Sequence, residues 1–224
     1  MRLAFFDLDR TLLAVNSATL WVRREVALGH ISKRQAVRAM WWLARYQLGF
    51  ASGEAVVAEA VTHLRGTPAQ NLEQRTARFY ETEVRHAFRP GALTQVARHR
   101  AAGDRLVMLT SSSNYLSQLA AAELGFDAVL CNVLEVGPDG LHTGRVDGRV
   151  CFGEGKLAHA RLEADRAGGS LEAAIFYTDS YSDLPVMEAV GTAVAVNPDP
   201  RLKRHAARCG WAIVDWGAPL AQVA

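Results

Sequence analysis

Two carboxylates end the first apolar run of the chain, and their types and spacing could do chemistry. The run from Leu3 to Phe6 is short and continuous, which predicts a buried strand, and Asp7 and Asp9 follow it. Charged groups at the edge of a core are costly unless they are paired or bind a metal. Two acids at the carboxyl end of a strand can share a divalent cation, and one of them can then attack an electrophile.

Two later predicted strands also end in polar residues, and a single lysine lies between them. These residues are Thr110 and Ser111 after the strand 105–109, Lys156 at the start of a helix, and Asp179 and Asp183 after the strand 173–178. The reactive groups of open α/β sheets lie beyond the carboxyl ends of the strands. We therefore expect these side chains to converge with Asp7 and Asp9.

This set of groups suits phosphoryl transfer. An aspartate can attack phosphorus and form an aspartyl phosphate. Mg²⁺ prefers hard oxygen ligands and is commonly held by one or two carboxylates together with the substrate phosphate. A hydroxyl, backbone N–H groups and a lysine can hold the phosphate oxygens. A second acid can protonate the leaving oxygen and then activate water.

The elements that position these residues fall into two groups along the chain. From residue 89 onward, short apolar strands alternate with helices, which favours a parallel sheet covered on both faces. Residues 13–88 look helical and contain no convincing strand. We therefore predict an α/β fold: a Rossmann-like parallel sheet core, residues 1–12 and 89–224, with an α-helical cap domain, residues 13–88, inserted after the first strand. The turn at 137–140 predicts a hairpin within residues 134–150.

Composition excludes several classes of partner. The 224 residues carry a net charge of only +2, so neither nucleic acid nor an anionic surface is expected as the main partner. Three cysteines without CxxC spacing suggest free thiols in a reducing compartment. Met1 leads directly into the first strand, leaving no room for a signal peptide, and no apolar stretch could span a bilayer. A cytoplasmic protein is the expectation.

The motifs resemble the four signatures of the haloacid dehalogenase superfamily, in their usual order and along almost the whole chain. They are Asp7-Leu8-Asp9-Arg10-Thr11, Thr110, Lys156 and Asp179-Ser180-Tyr181-Ser182-Asp183. The chain is most similar to the phosphoserine phosphatase-like subclass, which carries a helical cap after the first strand. The hairpin candidate at 134–150 also resembles a segment of that subclass.

The resemblance implies a role for each motif residue and Mg²⁺ as the cofactor. Asp7 is then the nucleophile and a metal ligand, and Asp9 is the general acid/base that also gives its backbone carbonyl to Mg²⁺. Lys156 and either Thr110 or Ser111 bind the phosphate. Asp179 is a metal ligand, and Asp183 supports the metal shell or Lys156. Thr110 is preferred over Ser111 as the source of the hydroxyl. True dehalogenases lack the second acid, so Asp9 favours phosphate ester hydrolysis.

Departures from the resembled pattern concern the substrate. Asn16 stands where phosphoserine phosphatases have a glutamate for the substrate amine, and a gapless match places Ala60 where they have an arginine for its carboxylate. Phosphoserine is therefore not expected as the preferred substrate. Arg10 either lines the mouth of the site or points to solvent. Ser17 is either the N-cap of the first cap helix or a substrate contact.

The resulting expectation is a Mg²⁺-dependent phosphomonoester hydrolase for a small phosphorylated metabolite. Amino-acid or amino-alcohol phosphates are the expected type, phosphoserine-like or histidinol phosphate for example. A phosphotransferase, a non-catalytic phosphometabolite-binding protein and a phospholipid-headgroup phosphatase stay open as alternatives. Trp41 and Trp42 pack in the cap, line a pocket or touch a membrane, with cap packing favoured and membrane contact otherwise not expected. Oligomeric state is left open.

Overall fold

The computed structural model describes residues 1–30, 32, 34, 37, 41 and 53–219. Six parallel strands form its central sheet: β1 (Leu3–Phe6), β2 (Arg105–Ser113), β3 (Ala128–Asn132), β6 (Ile175–Thr178), β7 (Thr192–Val196) and β8 (Ala212–Val214). Their order is β3-β2-β1-β6-β7-β8. β1 therefore lies between β2 and β6. The chain adds β2 and β3 on one side of β1 and then β6, β7 and β8 on the other side. A separate antiparallel hairpin pairs β4 (Leu134–Val136) with β5 (His142–Val146).

Helices cover both faces of the sheet, because β1 presents apolar side chains alternately to each. Phe6 and Met108 belong to one buried cluster, and Phe5 and Val107 belong to the other. The core helices are α4 (Pro90–Ala101), α5 (Asn114–Leu124), α6 (Glu154–Arg166), α7 (Leu184–Ala189) and α8 (Pro200–Cys209). The first two pack on the cluster of Phe6, and the other three pack on the cluster of Phe5. Burial on both faces explains why β1 reads as a continuous apolar run.

The described part of the cap segment, residues 13–88, contributes three bounded α-helices, α1 (Ser17–Ala27), α2 (Gly53–Thr62) and α3 (Ala69–Phe79), and two short helical turns, Tyr80–Val84 and Arg85–Ala87. Val61 of α2, Leu72 of α3 and Leu134 of β4 form a small buried cluster, so these helices pack on the hairpin. An antiparallel bridge between Leu13 and Phe88 closes the base of the segment.

The loop between α2 and α3 is also tied to the hairpin through the backbone. Gly66 N–H donates to His142 C=O (2.8 Å), His142 N–H donates to Thr67 C=O (2.9 Å), and Ala69 N–H donates to Gly140 C=O (3.0 Å). The backbone of the cap segment is therefore bonded to the rest of the protein both at its base and at this loop.

The α/β class with a parallel sheet is confirmed, and the cap and core boundaries stay a prediction. β2 continues to Ser113, four residues beyond the predicted strand end at Leu109. Trp42 lies outside the described residues, and the side chain of Trp41 is half-exposed. None of the helices in the described part of the chain combines the length and the apolar character that a membrane span needs.

Candidate active site

The predicted site residues meet where β1 lies between its two neighbours in the sheet. Asp7 follows β1, and its N–H donates to Tyr177 C=O of β6 (2.9 Å), which extends the strand pairing by one residue. Thr110 lies in β2 on the other side of β1. The strand order reverses direction at β1, and such switch points are where open α/β sheets bind ligands.

Lys156 joins two of the acids. Its Nζ lies 2.8 Å from Asp7 Oδ1 and 2.8 Å from Asp183 Oδ2, and all three side chains are buried. Lys156 is in the first turn of α6, which approaches the preceding loop closely. A Cβ at Gly155 would lie 1.9 Å from Val150 C=O, so only glycine permits this approach.

Two threonine hydroxyls that sequence reasoning did not assign complete this arrangement. Thr11 Oγ1 accepts from Asp179 N–H (2.9 Å) and lies 3.3 Å from Asp7 Oδ2 and 3.4 Å from Asp179 Oδ1. Thr178 Oγ1 donates to Asp183 Oδ2 (2.7 Å). Thr178 is the last residue of β6, and Thr11 lies in the helical turn after β1, two residues beyond Asp9. Their position near the acids of the motifs was the signal that could have identified them.

Burial makes the ionised carboxylates expensive. It raises the pKa of Asp7 to about 7, against the opposing effect of the Lys156 charge. It also raises the pKa of Asp179 to about 8, and the neighbouring charges of Asp7 and Asp183 add to this shift. Burial alone would lower the pKa of Lys156, but the charges of Asp183 and Asp7 more than offset it and raise that pKa. One lysine thus faces three acids.

A divalent cation fits this excess of negative charge. Asp7 Oδ2 and Asp179 Oδ1 lie 3.3 and 3.4 Å from the same Thr11 hydroxyl, whose single proton can be donated to only one of them. Among the described residues, no three His, Cys, Asp or Glu side chains form a complete metal cage. The protein would therefore supply only part of a coordination shell. Hard oxygen donors in a partial shell suit Mg²⁺, which usually keeps several waters.

The side chain of Asp9 contacts the cap segment. Its Oδ1 accepts from the N–H of Ser17, the first residue of α1, at 2.6 Å. Desolvation raises the pKa of Asp9, and the hydrogen bonds from Ser17 oppose that shift. A helix N-terminus also favours a negative charge. The acid is thus held in place by a cap helix while its carboxyl resists ionisation.

The cap residue of α1 is Asn16, not Ser17. Asn16 Oδ1 accepts from the N–H and the hydroxyl of Thr19, both at 2.9 Å, which is the N-cap arrangement. Ser17 is instead buried against Asp9. The proposed capping role of Ser17 was therefore wrong. Ser17 is already the first residue of the helix, because the Asn16 side chain occupies the capping position one residue earlier.

Arg10 is exposed and has a left-handed backbone conformation, with φ at 59°. Its side chain does not line the cavity described below, but its charge lowers the pKa of Asp179. The left-handed conformation of Arg10 lets the chain turn from Asp9 into the cap segment. Arg89 Nε donates to Arg10 C=O at 3.1 Å.

The two candidate phosphate-binding hydroxyls have different surroundings. Thr110 is almost fully buried, and its Oγ1 accepts from Ser112 N–H at 3.2 Å. Ser111 lies on the cavity wall, and its C=O accepts from Asn132 Nδ2 at 2.7 Å. Sequence reasoning missed Asn132, although it too is a polar residue at the carboxyl end of a strand.

A cavity of about 340 Å³ lies between the cap segment and the carboxyl ends of the strands. Asp9, Asn16, Ser17 and Ser111 are among the described residues that line it. The cavity size falls in the range of small-molecule sites. Asp9 thus lies between the buried acid cluster and a space that can hold the rest of a substrate.

Comparison with known proteins agrees with this arrangement. The family model for haloacid dehalogenase-like hydrolases matches residues 4–188. A Mycobacterium tuberculosis protein named phosphoserine phosphatase SerB1 is 32% identical over 217 residues, which cover 95% of this chain and 70% of the relative. A Neisseria meningitidis histidinol-phosphatase is 27% identical over 218 residues, 96% of this chain and 98% of the relative. A solved structure of unknown function from Bordetella pertussis Tohama I superposes with a TM-score of 0.87 at 29% identity, covering 96% of this chain and 98% of that chain.

Proposed function

Since the chain belongs to the haloacid dehalogenase-like hydrolases, we propose that it is a Mg²⁺-dependent phosphomonoesterase that acts through a phosphorylated Asp7. The observation that carries this proposal is the position of Asp7. Its buried carboxylate is paired with Lys156 at 2.8 Å, and the second acid, Asp9, lies two residues away on the wall of a ligand-sized cavity.

In the first step, an oxygen of Asp7 attacks phosphorus and the bond from phosphorus to the alcohol oxygen breaks. The charge of Lys156 favours the ionised, nucleophilic form of Asp7 against the effect of burial. The departing oxygen takes a proton from Asp9. The raised pKa of Asp9 suits this role, since a carboxyl that keeps its proton can give it to the leaving group.

In the second step, Asp9 removes a proton from water, and the water oxygen attacks the phosphorus of the acyl phosphate. Inorganic phosphate leaves and the Asp7 carboxylate is restored. The Ser17 N–H stabilises the ionised Asp9 that the first step produces. The same hydrogen bond holds Asp9 in place for both proton transfers.

The carboxylates of Asp7 and Asp179 and the backbone carbonyl of Asp9 would hold Mg²⁺. The cation supplies positive charge that offsets the acids and the substrate phosphate when they are brought together. Lys156 and a hydroxyl from Thr110 or Ser111 bind the phosphate oxygens in this proposal. The substrate is a small phosphorylated metabolite.

The test is to locate the phosphoryl group during turnover. Enzyme quenched in acid while it hydrolyses p-nitrophenyl phosphate with Mg²⁺ should carry phosphate on the peptide that contains Asp7. Asp7→Asn should lose hydrolysis by at least about 10⁴-fold and carry no phosphate. Substantial turnover by this variant, or phosphate on another residue, would remove Asp7 from its proposed role. Asp165→Asn changes an exposed aspartate of α6 and is the matched control.

A further inference from the structure

The cavity beside Asp9 has two different ends. Its polar end carries Asp9, Asn16, Ser111 and Asn132, at the carboxyl edge of the sheet. The phosphate and the bond that breaks belong at this end, because Asp9 is there. Whatever lies deeper in the cavity contacts the leaving alcohol rather than the phosphate.

The rest of the cavity is walled mostly by apolar side chains of the cap segment, with His63 and Thr76 as polar members of the wall. Helix α1 contributes Trp21, helix α2 contributes Val57 and Val61, and helix α3 contributes Leu72 and Phe79. Leu72, Phe79 and Val61 are also buried in the packing of the cap segment. The wall is therefore continuous with the small core beneath it.

Aromatic packing fixes the shape of this wall. The rings of Trp21 and Phe79 meet edge to face, with centroids 5.3 Å apart. The guanidinium of Arg75 lies 5.6 Å from the centroid of the Trp21 ring. A side chain held in this way presents a preformed apolar surface, which binds an apolar group with little ordering cost.

Charged side chains of the described cap residues are engaged away from the cavity. Arg75 pairs with the buried Glu25, and Arg24 pairs with Glu83 at 2.6 Å. Arg65 donates to Thr143 C=O at 3.1 Å. In the described part of the chain, Asp9 is the only Asp, Glu, Lys or Arg on the cavity wall.

Ala60 also lines the cavity. It occupies the position that a gapless match assigns to the carboxylate-binding arginine of phosphoserine phosphatases. Its methyl group adds to the apolar wall. An ammonium or carboxylate group placed against the apolar part of this wall would lose its hydration without gaining a charged partner among the described residues, which is costly. An apolar group placed there gains free energy in proportion to the area it buries.

We propose that the substrate is the phosphate monoester of a compact, uncharged and largely apolar alcohol, whose carbon chain or ring lies against Trp21, Val57, Val61 and Phe79. This inference rests on the proposed phosphatase function. It selects against the amino-acid and amino-alcohol phosphates that the sequence alone favoured.

The first experiment measures kcat/KM with Mg²⁺ for ethyl, butyl and hexyl phosphate and for phosphoserine and phosphoethanolamine. The primary alkyl esters have leaving groups of similar basicity, so their ranking reports contacts with the alcohol. We expect kcat/KM to rise from ethyl to hexyl phosphate by at least about tenfold, since each fully buried methylene contributes up to about fourfold. Both amine-bearing esters should rank below butyl phosphate.

The second experiment places a charge on the wall. Val57→Asp should lower kcat/KM for hexyl phosphate by about tenfold or more and leave ethyl phosphate within about threefold, because only the longer chain reaches α2. Ala58→Asp adds the same charge one residue along the helix, at an exposed position off the cavity wall, and should change neither value. Thermal melts of both variants show whether each has folded.

The outcomes separate the two proposals. One outcome is hydrolysis of p-nitrophenyl phosphate with equal kcat/KM for all three alkyl phosphates, and another is a preference for phosphoserine or phosphoethanolamine. Either result would overturn the apolar-alcohol inference and leave the phosphatase proposal standing. Absence of hydrolysis of every ester by the folded wild-type protein with Mg²⁺ would overturn both. Equal effects of Val57→Asp on the ethyl and hexyl esters would show that the wall does not contact the alcohol.

Discussion

The two ends of the site are built on opposite principles. At the core end, Asp7, Lys156 and Asp183 are charged, buried and joined by hydrogen bonds of 2.8 Å. At the cap end, apolar side chains form a preformed surface around an open cavity. Paired charges can orient and polarise a phosphate, whereas an apolar surface can only select by size and hydration. The difference indicates that reaction and selectivity reside in separate parts of the chain.

After the loss expected for Asp7→Asn, the largest effect concerns Asp9, the residue between these two ends. Asp9→Asn keeps the shape of the side chain but removes the proton donor, so hydrolysis of alkyl phosphates should fall by about 10² to 10⁴-fold. The first step with p-nitrophenyl phosphate should fall much less, because nitrophenolate needs little protonation to leave. Rapid-quench kinetics of both esters measure the two steps separately.

Equal loss of the first step for both esters would contradict the general-acid role of Asp9. It would indicate that Asp9 acts only through position, as a contact for Ser17. The exposed Asp165→Asn variant serves again as the control for a lost carboxylate.

Removing the lysine of the core end should lower the free energy of unfolding. Lys156→Met leaves Asp7 and Asp183 buried without their cation, and breaking such a pair costs about 3 to 5 kcal/mol of unfolding free energy. Denaturant unfolding at neutral pH measures this loss. Lys203→Met removes an exposed lysine of α8 and should have an effect within about 0.5 kcal/mol. Similar values for both variants would show that the charges at the core end are not coupled.

The raised pKa values predict how pH and metal act on the core end. Asp7 and Asp179 have folded-state pKa values of about 7 and about 8, above their ordinary value of 3.8. The folded protein therefore binds more protons than the unfolded chain between these limits. Without metal, unfolding free energy should fall as pH rises from about 4 to about 8, by up to about 1.4 kcal/mol per pH unit for each group.

In the proposed site Mg²⁺ would bind the ionised carboxylates, so it should stabilise the protein more at about pH 8 than at about pH 6. Unfolding with EDTA and with Mg²⁺ at both values measures the difference. Asp179→Asn removes one of the two titrating groups and should reduce both the pH slope and the Mg²⁺ effect. An unchanged slope in this variant would assign the pH dependence to other groups.

The smallest expected effect concerns the helix that links the two ends. Asn16→Ala removes the N-cap of α1 and should cost about 1 kcal/mol of stability. Because α1 also positions Ser17 against Asp9, kcat should fall more than KM changes. Asn16→Asp restores a capping acceptor and should recover most of the stability. Loss of stability without any change in kcat would separate the cap from catalysis.

Sequence patterns predicted the core end well because its signals are local. A continuous apolar run ending in Asp7 and Asp9 is readable without knowing its neighbours, and sheet topology then brings Lys156 and Asp179 to the same edge. The hydroxyls of Thr11 and Thr178 were missed because their roles depend on which carboxylate lies opposite. Their position near the motif acids marks them as candidates, but no spacing rule says which carboxylate each would contact.

The cap end was less predictable for a different reason. Trp21, Val57 and Phe79 follow ordinary helical spacing, and such spacing does not distinguish a residue that faces a core from one that faces a cavity. The sequence left Ser17 as either the N-cap of α1 or a substrate contact, and the structure gives the capping position to Asn16. Substrate selectivity therefore had to be inferred from packing in three dimensions.

The backbone pairing of Gly66 and Ala69 with the hairpin has a consequence for ligand entry. A rigid swing of residues 13–88 about the bridge between Leu13 and Phe88 would rupture the amide links to His142 and Gly140. We therefore expect substrate to enter and leave through local motions of side chains or loops. The amide protons of those links should then stay slow to exchange with deuterium during turnover.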